Sequence, residues 1–231
     1  MTASVVSHPP IAARRGAARA RTWWGKAWVR ALEEAAYAET DLRRGRSLSR
    51  AGAVGGISLT AGQVVAAVAD DRGLHTVDAR LPVLTPESRA TLVEVVAAEA
   101  GRIGSLLAGD LPHSLVEHAD EAGVELLPFG TELETTCTCV GWLDPCPHAL
   151  AVLSQVAWLV DDDPLVLLHL RGLPRDELLA GLHARTAVSY TSDGGEETDA
   201  DLDTALDAAA RAARILELLD GDADARVDHL F

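Results

Sequence analysis

The spacing of hydrophobic and polar residues changes twice along the chain, from helical to strand-like and back to helical. Residues 22–35 carry apolar side chains three and four positions apart, which is the period of an amphipathic helix, and Thr22 is suited to cap its first turn. Residues 53–84 are rich in valine and alternate apolar with polar positions, with breaks at TAGQ and DDRG. This alternation predicts three short antiparallel strands.

Helical spacing returns after these strands. A helix is predicted from Pro86 to about Gly109, and a shorter one ends at Gly123. The segments VELLP and ELETTC are predicted to be extended. A strongly apolar helix follows at residues 148–160, and the acidic run DDDP is expected to end it in solvent. Two further helices are predicted at residues 163–172 and 174–184. The whole pattern predicts an α+β fold, a small antiparallel β element with surrounding helices.

Composition divides this pattern into four predicted regions. They are a disordered basic tail (1–21), an α+β domain (22–130), a cysteine-containing segment with its following helices (131–188), and an acidic linker with a C-terminal amphipathic helix (189–231). The polar stretch DLRRGRSLSRAG inside the second region is predicted to be a linker. No apolar run is long enough to span a membrane, so no membrane partner is expected.

Charge is distributed unevenly along the 231 residues. Residues 1–50 hold ten Lys/Arg and four Asp/Glu, a net of +6, and the remainder holds ten and thirty-one, a net of −21; the sum is −15. An acidic body repels phosphate backbones, so any nucleic-acid contact is expected in the basic N-terminal region. The densest basic cluster is Arg43, Arg44, Arg46 and Arg50. These arginines either face phosphate or belong to a solvated linker.

The tryptophans of the basic region also have two alternative interpretations. Trp23, Trp24 and Trp28 either stack on bases beside the neighbouring cationic side chains or anchor the core through one face of the helix. The helical spacing of Trp24 and Trp28 favours the core.

The chain's three cysteines all lie in one short stretch, with the spacing Cys137-x-Cys139-x6-Cys146-x-His148. Three thiolates and one imidazole form a complete tetrahedral ligand set for one Zn²⁺, and four protein ligands make a structural site. The placement of Cys146 at the start of the apolar helix is expected to favour its thiolate. The alternatives are inert buried cysteines beside a surface histidine, or a redox site. The Cys-x-x-Cys motif typical of redox sites is absent, and an odd number of cysteines indicates a reducing, cytoplasmic compartment.

This cysteine–histidine spacing followed by an apolar helix resembles the SWIM zinc finger. The stretches TWWGKAWVRALE, RRGRSLSRAGAV, VELLP and DPLVLLHLRG also resemble actinobacterial SWIM zinc-finger proteins, over roughly residues 22–185. The resemblance implies a ββα finger that binds zinc through Cys137, Cys139, Cys146 and His148. It also implies contact with DNA or other proteins, and association with Swi/Snf-class helicases. Pro147 stands where relatives often carry a basic residue.

The expected function is recognition. No phosphate-binding loop, Ser-His-Asp order or paired-carboxylate pattern is present in the sequence, so we expect neither an enzyme nor a small-molecule substrate. The leading hypothesis is an accessory adaptor whose zinc finger presents a protein- or nucleic-acid-binding surface, within an assembly linked to a Swi/Snf-class helicase. Trp142, between the ligand pairs, is expected to cover the zinc or to contact a protein partner. The alternative is direct DNA binding through residues 14–50, with the finger as scaffold.

Overall fold

The structure is a computed structural model that describes residues 4–14, 20–141 and 143–193. The chain comprises two compact units, Met1–Leu182 and His183–Phe231. Most of the predicted acidic linker and C-terminal helix lies outside the described residues. Within the described part, the predicted α+β fold is confirmed, and none of its helices is long and apolar enough to cross a membrane.

A five-stranded antiparallel sheet forms the centre of the first unit, with the strands in chain order. The strands are β1 (Val6–His8), β2 (Val54–Thr60), β3 (Gln63–Asp70), β4 (Gly73–Arg80) and β5 (Glu134–Cys137). The three central strands are those that alternation predicts. Their register pairs Ile57 with Ala66 and Val68 with His75. Gly62 has φ +71°, which permits the tight turn between β2 and β3.

The first strand corrects the prediction that residues 1–21 are disordered. Val6 pairs with Leu59 of β2, and further along the same segment the Arg14 N–H donates to the Arg50 carbonyl at 2.9 Å. Without β1, one edge of β2 would present unpaired backbone groups, and a short added strand satisfies them. Residues 15–19 lie outside the described part.

Eight helices belong to the part of the chain that the structure describes. They are α1 (Trp23–Ala35), α2 (Glu39–Arg50), α3 (Pro86–Ala97), α4 (Ala100–Leu107), α5 (His113–Glu121), α6 (Pro147–Asp162), α7 (Pro164–Leu170) and α8 (Arg175–Asp193). Thr22 caps α1, as predicted, and Thr85 caps α3 through the backbone N–H of Ser88. The single helix predicted from Pro86 to Gly109 is two helices, α3 and α4.

Helix α2 occupies the stretch that was predicted to be a basic linker, so that prediction is wrong. Its buried face consists of Leu42, Gly45 and Ser49, which are three and four positions apart. Gly45 allows close approach to α6, because a Cβ built there would lie 2.6 Å from Leu150 Cβ. A stripe of one leucine and two small residues among arginines gives little hydrophobic signal, although it packs well.

Helix α6 lies between the sheet and the pair α1 and α2, and it is buried along most of its length. Trp24 and Trp28 are buried, and their indole N–H groups donate to the carbonyls of Val160 and Leu153. These tryptophans are core anchors. The predicted boundary at residue 130 is not observed, because β5 pairs with β4 and α6 shares one core with the N-terminal helices.

The acidic run at the end of α6 is solvated only in part: Asp162 and Asp163 are exposed, as predicted, but Asp161 is buried. Asp161 is 8% exposed and accepts hydrogen bonds from the backbone N–H of Arg21 and from both the N–H (2.9 Å) and the hydroxyl (2.6 Å) of Thr22. Burial alone would raise the pKa of Asp161, but the bonds from Thr22 and Arg21 outweigh it and lower the pKa. Asp161 therefore fixes the start of α1.

The segment VELLP is a loop, where extended structure was predicted. The buried side chain of Arg171 holds it by donating to the carbonyls of Leu126 (3.0 Å) and Glu125 (3.0 Å), and it also pairs with Glu132 (3.4 Å). The backbone of this loop is thus satisfied by a side chain instead of a neighbouring strand.

Candidate metal centre

The four predicted ligands come together at the junction of β5 and α6. Cys137 ends β5, Cys139 follows in the loop, Cys146 is the N-cap of α6 and His148 lies in its first turn. Their ligand atoms lie within 4.8 Å of one another. His148 Nδ1 is 3.9 Å from Cys137 Sγ and 4.0 Å from Cys146 Sγ. Tetrahedral zinc bonds would separate sulfur from nitrogen by about 3.5 Å. The cluster can therefore hold one metal ion.

Rigid elements position three of the ligands. Cys137 pairs with Val77 of β4, and the pairing extends one residue further because Thr138 N–H donates to the Thr76 carbonyl at 3.0 Å. Pro147 at the first position of α6 is compatible with a helix start and directs the chain away from the loop. The strand partner of β5 belongs to the central sheet, so the metal-binding segment is part of the main fold.

Asp70, at the end of β3, contacts the outer side of the histidine ligand. Its Oδ2 lies 3.0 Å from His148 Nε2, while His148 Nδ1 faces the cysteine sulfurs. A carboxylate at this distance accepts a hydrogen bond from Nε2–H, which keeps the proton on Nε2 and leaves the Nδ1 lone pair available for a metal. This hydrogen bond selects the tautomer that ligation requires.

Asp70 is itself held in place by three neighbours. Its side chain is 3% exposed, and Oδ1 accepts from the Arg72 backbone N–H (2.8 Å) and lies 3.2 Å from His75 Nε2. The Arg72 N–H and the His148 ring lower the pKa of Asp70 to about 2 against the opposing effect of burial. The His75 ring also stacks on His148, with centroids 4.4 Å apart. Together these contacts fix the plane of the ligand ring.

The surroundings of Cys137 and Cys146 favour the protonated thiol when no cation is bound. Burial, with a smaller contribution from the neighbouring Cys146, raises the pKa of Cys137 to about 12. Burial also raises the pKa of Cys146, and it outweighs the Ala149 N–H, which favours the thiolate. The predicted thiolate at the helix start is thus not favoured by the helix alone. Binding of a divalent cation would release protons from these thiols.

The alternative of inert cysteines beside a surface histidine does not fit this geometry. His148 is 6% exposed and directs one nitrogen at two sulfurs and the other at a carboxylate. Sequence reasoning missed Asp70 and His75, because only the β3–β4 register brings them to the cluster. The sole signal was the DDRG turn, which predicts that the residues flanking it lie on neighbouring strands.

The loop between the ligand pairs exposes apolar side chains. Val140 is 97% exposed and Leu143 is 43% exposed. Trp142, the predicted zinc cover or partner contact, lies outside the described residues, so its predicted role is untested.

The four predicted contact arginines separate into two groups. Arg44 lies beside the cluster, with Nη2 3.6 Å from Asp70 Oδ2. Arg43, Arg46 and Arg50 line a groove between α1 and α2. The structure thus does not bring the four together at one site.

Comparison with known proteins identifies the family of the chain but not its function. No family model matches the chain, and no solved structure matches it significantly. The chain is 32% identical over 193 residues to "Uncharacterized protein Rv2102" of Mycobacterium tuberculosis (strain ATCC 25618 / H37Rv), a match that covers 81% of this chain and 69% of that protein. The chain belongs to the same family as Rv2102.

Proposed function

We propose that this chain, as a member of the family of Rv2102, is a zinc-binding accessory protein of the SWIM type, and that the loop between its metal ligands contacts a protein partner. The observation that carries the proposal is the position of the loop. Ligands at both ends close it, and it presents Val140 and Leu143 to solvent. A short loop with exposed apolar side chains and a fixed base is suited to recognition.

Zinc is the metal that this ligand set favours. Three thiolates and one imidazole suit a borderline-soft ion with tetrahedral preference. Four protein ligands leave no open coordination position for a substrate or a reactive water, so the role proposed for the metal is structural and not catalytic.

A protein partner suits this loop better than nucleic acid. Glu134 and Asp144, close to the ligands, are exposed carboxylates and repel phosphate. Pro147 offers no cation at the position where SWIM relatives often have one. The resemblance to SWIM proteins extends the proposal to a Swi/Snf-class helicase as the partner.

Metal analysis tests the site. We expect one zinc per chain in the purified protein and a substoichiometric amount in Cys139→Ser, with Thr136→Ser, an exposed neighbour on β5, as the matched control. Equal zinc in the wild-type protein and Cys139→Ser would remove Cys139 from the site. Hydrogen exchange with and without a strong chelator tests coupling, because metal loss should loosen the loop between Cys139 and Cys146.

Partner capture tests recognition. The wild-type protein, expressed in its native host and isolated with its partners, should bring down a Swi/Snf-class helicase identified by mass. Val140→Asp should lose it, whereas Val83→Asp should retain it, since Val83 is also an exposed valine (50%) but lies outside the loop. Retention by both variants would show that the loop is not the contact surface.

The alternative function is direct DNA binding through residues 14–50, with the zinc site as scaffold. It is favoured by one observation, the groove between α1 and α2 that three of the four predicted arginines line.

A further inference from the structure

A groove of about 670 Å³ lies between α1 and α2, with α6 as its floor. Its volume is in the range of pockets that accept small ligands or short polymer segments. The charged and aromatic residues that line it are Lys26, Glu33, Arg43, Arg46, Arg50 and Trp158. We call this the basic groove. The four metal ligands and Asp70 are not among these residues.

The walls of the basic groove are positively charged in a protein of net charge −15. Lys26 lies on α1, and Arg43, Arg46 and Arg50 lie on one face of α2, against the single acid Glu33. Arg46 pairs with Glu33 across the groove, and Arg43 is 3.7 Å from Glu39. Among the described residues, Lys26 and Arg50 have no ion pair. The groove therefore has cationic groups available for an anionic ligand.

The floor of the groove is apolar and ends at an aromatic ring. Val29 is partly exposed, Leu32 and Ala157 lie buried behind it, and Trp158 is half-buried beside them. The guanidinium of Arg14 lies 4.8 Å from the centroid of the Trp158 ring, and the Arg14 backbone is bonded to that of Arg50. A cation over a tryptophan next to further arginines is an arrangement that holds both a phosphate and a planar base.

The hydroxyl groups of the groove are already used. Ser49 Oγ donates to the Arg46 carbonyl at 3.0 Å, and Ser154 Oγ donates to the Leu150 carbonyl at 2.6 Å. Neither hydroxyl proton is available to donate a hydrogen bond to the edge of a base. Recognition in this groove would depend on charge and apolar contact, which every nucleotide offers, and would be independent of sequence.

We propose that the basic groove binds a segment of single-stranded nucleic acid, with phosphates on Lys26, Arg43 and Arg50 and bases against Trp158 and the apolar floor. Arg43 and Arg50 are two turns apart, about 10 Å along α2, which is longer than one phosphate group requires. In a duplex the base faces are stacked inside, so they cannot reach the floor. Arginine is also the side chain that best matches phosphate geometry. The inference makes the alternative function specific and does not depend on the loop recognising a protein.

Fluorescence anisotropy on the full-length, zinc-loaded protein tests the proposal. The probes are a labelled single-stranded oligonucleotide of about twelve nucleotides, in DNA and RNA forms, and the DNA duplex of the same sequence. We expect salt-sensitive binding of the single strands and weaker binding of the duplex. Lys26→Gln/Arg50→Gln should flatten the log–log salt slope by about 1.4, since each phosphate contact on a single strand contributes about 0.7.

Arg80→Gln, which replaces an exposed arginine on β4, is the matched control and should keep the wild-type slope. Trp158→Leu should weaken binding about tenfold at constant slope, because stacking is not a charge effect. Thermal melting checks that each variant is folded, and its zinc content checks the metal site separately. An unchanged slope in Lys26→Gln/Arg50→Gln, a preference for duplex, or equal displacement by a mononucleotide or by polyglutamate would each overturn the proposal.

Discussion

Replacing Asp70 by asparagine is the substitution that most directly tests how the metal centre is organised. Asp70 accepts from Arg72 N–H and His75 at one oxygen and from His148 at the other. Asparagine has only one oxygen. If that oxygen stays with Arg72 and His75, the amide NH₂ faces His148 Nε2 and favours the tautomer whose proton is on Nδ1. That tautomer cannot bind a metal through Nδ1.

The alternative rotamer of asparagine gives a smaller but similar loss. The amide oxygen would then accept from His148, but without a charge, and the NH₂ would oppose the Arg72 N–H. Charge-assisted hydrogen bonds are roughly twice as strong as neutral ones. Loss of an outer carboxylate from a metal-bound histidine lowers metal affinity by about 10- to 100-fold. Because both rotamers are unfavourable, we expect Asp70→Asn to lie toward the upper end of this range.

Competition with a chromophoric chelator measures this affinity. Asp71→Asn is the matched control, since Asp71 is adjacent and 82% exposed and has no contact with His148 among the described residues. It should keep the wild-type zinc affinity. The Co²⁺-substituted proteins should show thiolate charge-transfer bands in both variants, because no ligand is removed. An affinity for Asp70→Asn equal to that of Asp71→Asn would refute the role assigned to Asp70.

Three further substitutions test contacts that hold the fold together, by chemical denaturation. Gly45→Ala should destabilise the protein by about 1–3 kcal/mol, because the new Cβ would meet Leu150. Gly104→Ala is the control and should be neutral or slightly stabilising, because no atom lies within 4 Å of its Cβ position. Similar effects of the two substitutions would disprove the close approach of α2 to α6. Arg171→Met should lower the free energy of unfolding by about 3 kcal/mol, because it leaves buried carbonyls without donors and Glu132 without its ion pair. Arg80→Met replaces an exposed arginine and is the control, so an equal loss in the two variants would contradict this prediction. Asp161→Asn should cost about 1.5 kcal/mol at neutral pH. Because the folded pKa of Asp161 is lowered, this difference should be complete above about pH 4 and shrink as the pH falls further, so a constant difference down to about pH 3 would exclude a charge effect.

Hydrophobic spacing predicts the elements that bury large apolar side chains and misses the one that does not. The strands β2 to β4 and the helices α1 and α6 follow from their valines, leucines and tryptophans. Helix α2 buries only one leucine beside Gly45 and Ser49, and its arginines dominate the local composition. Close packing through small residues is a property of the helix pair α2 and α6, and the sequence of either helix alone does not reveal it.

The metal ligands could be predicted because their spacing is local, and the groups that orient them could not because their proximity is tertiary. Cys137 to His148 span one strand end, one loop and one helix start. Asp70 and His75 reach the ligand ring only through the pairing of β3, β4 and β5. In the same way, composition identifies four closely spaced arginines but not the direction each faces, which depends on how α2 packs against α6.

The position of the metal cluster predicts that loss of the metal affects the loop between the ligands but not the rest of the fold. Isolated zinc fingers depend on the metal because they bury few apolar side chains. Here α6 carries Cys146 and His148 and is itself buried against α1, α2 and the sheet, so apolar packing fixes its place. The residues that only the metal would hold are those between Cys139 and Cys146, which form neither helix nor strand where the structure describes them. Chelation should therefore release the loop with Val140 and Leu143 and leave the basic groove intact, so that partner capture is lost while oligonucleotide binding survives. Loss of both on chelation would show that the whole body depends on the metal.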